Sequence, residues 1–357
     1  MTDTPPDRAA GPGKGAKAPL RPAAIALSPI LSARYRSGDL ERIREAAPGA
    51  RIVTLSREGL TDEPVDDVEV LLRGWLSSEA FDRLLARAPN LQWVHSASAG
   101  VERALTPAAL ERGIVITNAR GVFSRPIAEY VLMMILAVSR RLPGLLELQR
   151  ERTWQPLEGV ELRDVTIGIV GLGSIGRAVG SLATAFGCRV VAVRRHAETD
   201  ARAAAGDGAS SAAGELVLDR VGGPETLPEL LAEADFVVLA APLTPETEDM
   251  IDADAIARMK PTAWLINVAR GRLIDERALL AALREGRLGG AVLDTFRDEP
   301  LPPTSPFYEL SNVIVTPHTS WSSSRVLDRS VELFSDNLRR YAAGEPLLNV
   351  VDPAAGY

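Results

Sequence analysis

Residues Val165 to Gly176 read V-T-I-G-I-V-G-L-G-S-I-G, an apolar, β-branched run that passes straight into Gly171-x-Gly173-x-x-Gly176. The stretch R-A-V-G-S-L-A-T-A-F from Arg177 then opens a helix. A bare glycine triplet constrains little. Between a strand and a helix it is the phosphate-binding turn of a dinucleotide fold. Gly171 permits the tight turn, Gly173 the close approach of a pyrophosphate and Gly176 the packing of helix on strand. The helix N-terminus adds unpaired N–H donors and a partial positive charge. The alternative is an ordinary tight turn of an α/β protein.

The next strand, Cys188 to Val193, ends at Arg194-Arg195-His196. An NAD site usually carries an acidic residue about 20 positions past the first glycine, to hold the ribose 2′-hydroxyl. Here that place holds two arginines. A guanidinium binds a 2′-phosphate in a charge-assisted fork, whereas a carboxylate repels it. Arg194 and Arg195 therefore point to NADP(H). The alternative has both arginines solvated, Glu198 or Asp200 at the ribose, and NAD as cofactor.

A chain of 357 residues has room for about two domains. It is 46% hydrophobic and 24% charged, a soluble globular composition. The net charge of −7 gives no electrostatic case for nucleic acid or an anionic membrane as partner. The sole cysteine, Cys188, excludes an internal disulfide and any Cys-rich zinc or iron–sulfur centre, so no metal is expected. Its expected role is that of a small buried apolar residue. Residues 1–21 are rich in Pro, Gly, Ala and charge and read as a disordered tail, not a secretory signal. The longest apolar run, Tyr130 to Val138, is too short to cross a bilayer. A cytoplasmic protein is expected.

Short apolar strands alternate with helical patterns. Ala24–Ser28, Arg51–Leu55, Val68–Leu72, Leu91–His95 and Ile114–Thr117 predict a five-stranded parallel sheet, with helices at Asp39–Ala47 and Ser77–Ala88. Pro126–Arg141 is apolar nearly all round and predicts a helix buried in a domain junction or against another subunit, with Met133 and Met134 as filler. Six more strands follow, at Val165–Val170, Arg189–Val193, Phe236–Ala240, Ala263–Asn267, Gly290–Leu293 and Val313–Thr316. Ala201 to Gly214 reads as a flexible loop. A last helix, Arg325–Ala343, has apolar residues at helical spacing and is expected to cross back onto the first domain. The expected fold is α/β with two doubly wound parallel-sheet domains: a Rossmann dinucleotide-binding domain over 120–321 and a smaller, discontinuous flavodoxin-like substrate domain over 22–119 and 322–357, with a cleft between them.

Three segments follow strands at the sheet edge where ligands bind. They are Val268–Glu276 with Arg270, Asp294–Pro302 with Glu299, and Pro317–Trp321 with His318. An arginine, a glutamate and a histidine beside a nicotinamide suit reduction of a 2-oxo acid. A histidinium supplies the proton for the carbonyl oxygen, a glutamate on the other ring nitrogen orients it, and a guanidinium grips the carboxylate and polarises the carbonyl. Singly, each has a plainer reading as a satisfied polar residue, a loop turn or a surface ion pair. His95 is a lesser candidate to line the cleft, and His196 reads as solvated near the ribose. Trp75, Phe123 and Trp321 are candidates for the pocket walls.

These motifs together resemble the D-isomer-specific 2-hydroxyacid dehydrogenase family. The likeness rests on G-L-G-S-I-G at Gly171–Gly176, A-P-L-T-P-E-T at Ala241–Thr247, N-V-A-R-G at Asn267–Gly271, L-D-T-F-R-D-E-P at Leu293–Pro300 and T-P-H at Thr316–His318. The resemblance implies that Arg270, Glu299 and His318 are the catalytic trio. It places Ser174 and Ile175 over the pyrophosphate, Pro242, Thr247, Val268 and Ala269 against the cofactor, and Asp294 at the nicotinamide end. It makes Ser98, Ala99, Gly100 and Val101 the loop whose N–H groups hold the substrate carboxylate, together with Arg270 and His318. The long apolar helix implies a homodimer, and no appended regulatory domain is expected after the last helix. Arg194 resembles the NADP-using glyoxylate/hydroxypyruvate reductase branch. Two other readings stand beside this one: oxidation of another small anion such as formate or phosphite, which the Glu299–His318 pairing counts against, and a dinucleotide-sensing corepressor.

Overall fold

The computed structural model describes residues 22–30, 35–195 and 215–354. The expected tail at 1–21, the stretch Ala201–Gly214 and His196 lie outside these residues. The chain forms two compact units, one of Met1–His95, Pro107–Thr117 and Val331–Val350, the other of Ser96–Thr106, Asn118–Ser330 and Val351–Tyr357.

In the first unit, strands β1 (Ala24–Leu27), β2 (Arg51–Thr54), β3 (Val68–Arg73), β4 (Trp93–Ser96) and β5 (Val115–Asn118) form one sheet in the order β2-β1-β3-β4-β5. This is the flavodoxin-like order. β1 pairs in parallel with both neighbours and is buried along its whole length, which is why it reads as an unbroken apolar run. Helices α1 (Ser37–Ala46), α2 (Ser78–Arg87) and α3 (Pro107–Glu111) connect the strands. The Ser77 hydroxyl caps α2 by accepting the Ala80 N–H at 3.1 Å, and Ala80, Phe81, Leu84 and Leu85 bury one stripe of it.

His95 lies inside this unit with no exposed surface. The Thr117 hydroxyl accepts the Trp93 Nε1–H at 2.9 Å and is hydrogen-bonded to His95 Nδ1 at 2.8 Å. The ring is tilted against Phe334 at 5.6 Å. Burial pushes the His95 pKa down to about 3. The expectation that it lines a cleft is corrected: it is a neutral core residue, because its neighbours are aromatic rather than charged.

The second unit opens with α4 (Ser124–Ser139) and α5 (Leu142–Arg150). A seven-stranded sheet follows, built from β6 (Thr166–Val170), β7 (Arg189–Val193), β8 (Arg220–Gly222), β9 (Phe236–Leu239), β10 (Trp264–Asn267), β11 (Gly290–Leu293) and β12 (Val313–Val315). The order is β12-β11-β10-β9-β6-β7-β8, with every pair parallel. This is the Rossmann order, with its reversal between β6 and β9. Helices α6 (Ser174–Ala185), α7 (Leu227–Glu233), α8 (Ala253–Arg258) and α9 (Glu276–Arg284) lie between strands. α10 (Val326–Ala343) begins in this unit, and its residues from Val331 onward belong to the first. There Val331, Phe334 and Leu338 are buried, and Tyr341 stacks on Trp93 at 5.5 Å.

The two-sheet α/β architecture is the expected one. β8 is an addition, since the sequence reading placed six strands in this sheet. The expected long apolar helix is α4, which stops at Ser139; Arg141 turns with a φ of +58°, and a separate helix, α5, starts at Leu142. Met134 is buried, but Met133 is 51% exposed. Cys188 is buried at the approach to β7, where desolvation pushes its thiol pKa up to about 11. Among the described residues no helix is long and apolar enough to cross a membrane.

Candidate active site

The glycine turn sits at the end of β6, at the point where the strand order reverses. Gly171 has a φ of +100°, and a Cβ there would lie 2.5 Å from the Ala241 nitrogen at the end of the neighbouring strand. A Cβ on Gly176 would meet the Gly171 carbonyl oxygen at 2.1 Å. Both positions therefore require glycine. The space around Gly173 is open to 4 Å, and no side chain caps α6 behind it. An uncapped helix N-terminus facing open space, with Ser174 and Ile175 in its first turn, fits a pyrophosphate. The Gly171 N–H donates to Val193 O at 2.9 Å, so the turn abuts the end of β7. Arg194 follows directly, and its N–H donates to Gly222 O at 3.0 Å. The Arg195 guanidinium lies 3.5 Å from Glu246. On the other side, Thr247 ties down the loop after β9, donating its hydroxyl to Pro242 O and accepting the Thr244 N–H, both at 2.8 Å.

Arg270 stands on the turn after β10, shaped by the buried side chain of Asn267. Its Oδ1 accepts the Ala269 N–H at 3.0 Å, and its Nδ2 donates to Arg270 O at 2.8 Å. This bridge spans Val268 and Ala269. The Arg270 guanidinium is held at three points. Nη1 donates to Ala269 O at 2.8 Å, Nε to Glu102 Oε1 at 3.0 Å and Nη2 to Glu102 Oε2 at 3.3 Å. It lies flush on the loop of Ser98, Ala99, Gly100 and Val101: a Cβ on Gly100 would overlap Nη2, at 1.6 Å. That loop is tied by the Ser98 hydroxyl to Gly100 O at 2.7 Å and by Asn118 Nδ2 to Ala99 O at 2.9 Å.

Glu299 follows β11, the neighbour of β10, and His318 follows β12, the next strand beyond it. His318 Nδ1 and Glu299 Oε2 are 2.8 Å apart, and Glu299 Oε1 accepts the Phe296 N–H at 3.0 Å. Burial pushes the Glu299 carboxyl up, but these two bonds and the charges of His318 and Arg270 outweigh it and hold the pKa below the ordinary carboxylate value. His318 has a φ of +49°, uncommon for a side-chain-bearing residue. The fully buried Asp294 explains it. Its carbonyl accepts the His318 N–H at 2.8 Å, Oδ1 the Thr319 N–H at 2.8 Å, and Oδ2 the Ser320 N–H at 2.9 Å. The Thr316 hydroxyl donates to Oδ1 at 2.6 Å and accepts from Tyr130, also at 2.6 Å. Trp321 Nε1 closes the loop on His318 O at 2.7 Å.

Arg270, Glu299 and His318 thus stand on consecutive strands of one sheet edge, in the unit that carries the glycine turn. Of the pocket-wall candidates, Trp321 serves the His318 loop, Phe123 is buried, and Trp75 is exposed in the first unit. Glu102, Asn267 and Tyr130 are additional participants. Only Asn267, next to the arginine turn, carried a local signal.

The family model for "D-isomer specific 2-hydroxyacid dehydrogenase, NAD binding domain" matches residues 132–320. A glyoxylate reductase of Korarchaeum cryptofilum is 32% identical over 320 residues, covering 88% of this chain and 90% of the relative. A D-3-phosphoglycerate dehydrogenase of Mycobacterium tuberculosis is 37% identical over 275 residues, which are 76% of this chain but 49% of that protein. This chain thus spans about half the length of the latter. Among solved structures, the NADPH-dependent glyoxylate/hydroxypyruvate reductase of Sinorhizobium meliloti, in complex with NADP and sulfate, superposes with a TM-score of 0.75 at 27% identity, covering 94% of this chain and all of the other.

Proposed function

We infer that this chain, which belongs to the D-isomer specific 2-hydroxyacid dehydrogenase family and is an NAD(P)-dependent oxidoreductase, uses NADPH in preference to NADH and reduces small 2-oxo acids to D-2-hydroxy acids. Glyoxylate and hydroxypyruvate are the leading substrates, in keeping with the names of the archaeal relative and the S. meliloti structure. The observation that carries the reading is the 2.8 Å pairing of His318 Nδ1 with Glu299, on the strand-end array that also bears Arg270.

With Glu299 on Nδ1, the protonated ring offers its Nε2 proton to the keto oxygen, and in the reverse direction neutral Nε2 is the base. Glu299 stays ionised and holds the ring orientation. Arg270 anchors the substrate carboxylate and polarises the carbonyl, and the backbone of Ser98–Val101 adds donors to that carboxylate. Gly171, Gly173, Ser174, Ile175 and Gly176 would hold the cofactor pyrophosphate. Arg194 and Arg195 would hold a 2′-phosphate, Pro242, Thr247, Val268 and Ala269 would flank the dinucleotide, and Asp294 would meet its nicotinamide end. When bound, the reduced nicotinamide supplies the hydride.

In this reading 120–321 is the dinucleotide-binding domain, and 22–119 with 322–357 the substrate domain. The protein is cytoplasmic and a homodimer. The exposed apolar side chains of Met133, Leu142, Leu145, Leu146, Trp154 and Val160, on α4, α5 and the segment after them, support a second copy as partner. Sedimentation at a monomer mass at micromolar concentration would remove the dimer. The enzyme reading is tested by assaying a panel of 2-oxo acids with both cofactors. Turnover of glyoxylate or hydroxypyruvate, faster with NADPH, is the expected result; failure with every 2-oxo acid would overturn it.

A further inference from the structure

We propose that Glu102 sets the charge of the substrate: by pairing with Arg270 it leaves the guanidinium a limited set of donors and reserves the site for 2-oxo acids bearing a single negative charge. The inference rests on the reading of Arg270 as the substrate anchor.

A guanidinium has five N–H groups. Glu102 takes the Nε–H and one on Nη2, and Ala269 O takes one on Nη1. One donor remains on each terminal nitrogen, enough for one carboxylate or for a carboxylate oxygen with its neighbouring keto oxygen. To present its other edge the guanidinium would have to leave Glu102.

The charge argument points the same way. Burial pushes the Glu102 carboxyl up, but the Arg270 charge and its hydrogen bonds outweigh that and hold the pKa below the ordinary range, so Glu102 is ionised at neutral pH. The positive charge of Arg270 is therefore balanced before any substrate arrives. A first carboxylate still gains from directed hydrogen bonds. A second anionic group meets a guanidinium whose charge Glu102 already balances, so it gains less from Arg270 than the first. The Glu102 side chain is 43% exposed, so water screens this repulsion and limits it to about tenfold in affinity.

Oxamate and oxalate are near-isosteric 2-oxo acid mimics that differ by one charge, and they read the effect without turnover. Their dissociation constants are measured by calorimetry on the NADPH-loaded protein, for wild type, Glu102→Gln and Glu102→Asp. Wild type is expected to favour oxamate. Glu102→Gln should shift the oxamate-to-oxalate ratio about tenfold toward oxalate, and Glu102→Asp, which keeps the charge, should retain a ratio near that of wild type. A purely structural role would weaken both ligands together and leave the ratio fixed. An unchanged ratio in Glu102→Gln, or a wild type that binds neither anion, overturns the proposal. Turnover is scored separately: a ratio shift in Glu102→Gln together with a wild type that reduces no 2-oxo acid refutes the proposed reaction and not the role of Glu102.

Discussion

Asp294 carries His318. The aspartate accepts the histidine's own N–H on its carbonyl and the next two N–H groups of the loop on its carboxylate, all within 2.9 Å. The backbone at His318, with its φ of +49°, is held from below by a buried anion rather than by the histidine side chain. Tyr130 extends the arrangement through Thr316 from the middle of α4.

This arrangement makes Asp294→Asn more damaging than its size suggests. The amide replaces an acceptor with a donor that faces N–H or O–H groups. About 1–3 kcal/mol of stability is expected to go, with a fall in kcat of at least tenfold. Tyr130→Phe removes one terminal bond and should cost about 1 kcal/mol and only a few-fold in kcat. Urea unfolding and steady-state rates check both; equal effects of the two variants would refute the hierarchy.

For the proton donor, His318→Ala should lower kcat by roughly 10²–10⁴-fold and leave cofactor affinity nearly intact. Glu299→Gln should retain the fold and lose roughly 10–100-fold, since the amide orients the ring less strongly than the carboxylate. Full activity of His318→Ala would remove that residue from the chemistry.

Arg194 faces a simpler test. Arg194→Asp should weaken NADPH by roughly 10²-fold relative to NADH, because a guanidinium–phosphate fork becomes a like-charge contact. Fluorescence titration with each nucleotide measures the ratio, and an equal loss for both would exclude phosphate recognition by this residue.

His95 predicts an acid-sensitive fold. Its pKa falls from 6.5 to about 3 on folding. At pH 7 and above both states are neutral, and no stability depends on it. Below pH 6.5 the unfolded chain takes up a proton that the folded chain refuses, so stability declines as pH drops from 6.5 toward 3. By pH 4.5 the loss from this group is about 2–3 kcal/mol. His95→Gln should be less stable at pH 7.5 but show a shallower decline toward pH 4.5 in urea melts. An unchanged slope would assign the acid sensitivity elsewhere.

The residues read correctly from sequence are those whose signal is local. The strands of both sheets announce themselves as apolar runs, and the glycine turn as a spacing between a strand and a helix. β8 escaped notice because Arg-Val-Gly offers no such run, and its burial is only partial. Glu102 carries no local signal, since its partner Arg270 is 168 positions away. Tyr130 was absorbed into an apolar helix, and its hydroxyl's partner is 186 positions distant. His95 misled in the opposite direction: a histidine at a strand end suggests an open rim, and only the aromatic packing from α10 shows it to be enclosed. What stays illegible is pairing between side chains that meet only after the chain has folded.

The deeply placed lone thiol makes this protein convenient to label. With its ionisation suppressed at neutral pH, Cys188 should ignore maleimides and iodoacetamides in the native state. A single new cysteine at Leu60, which is 57% exposed, would then accept a dye without prior removal of the natural one.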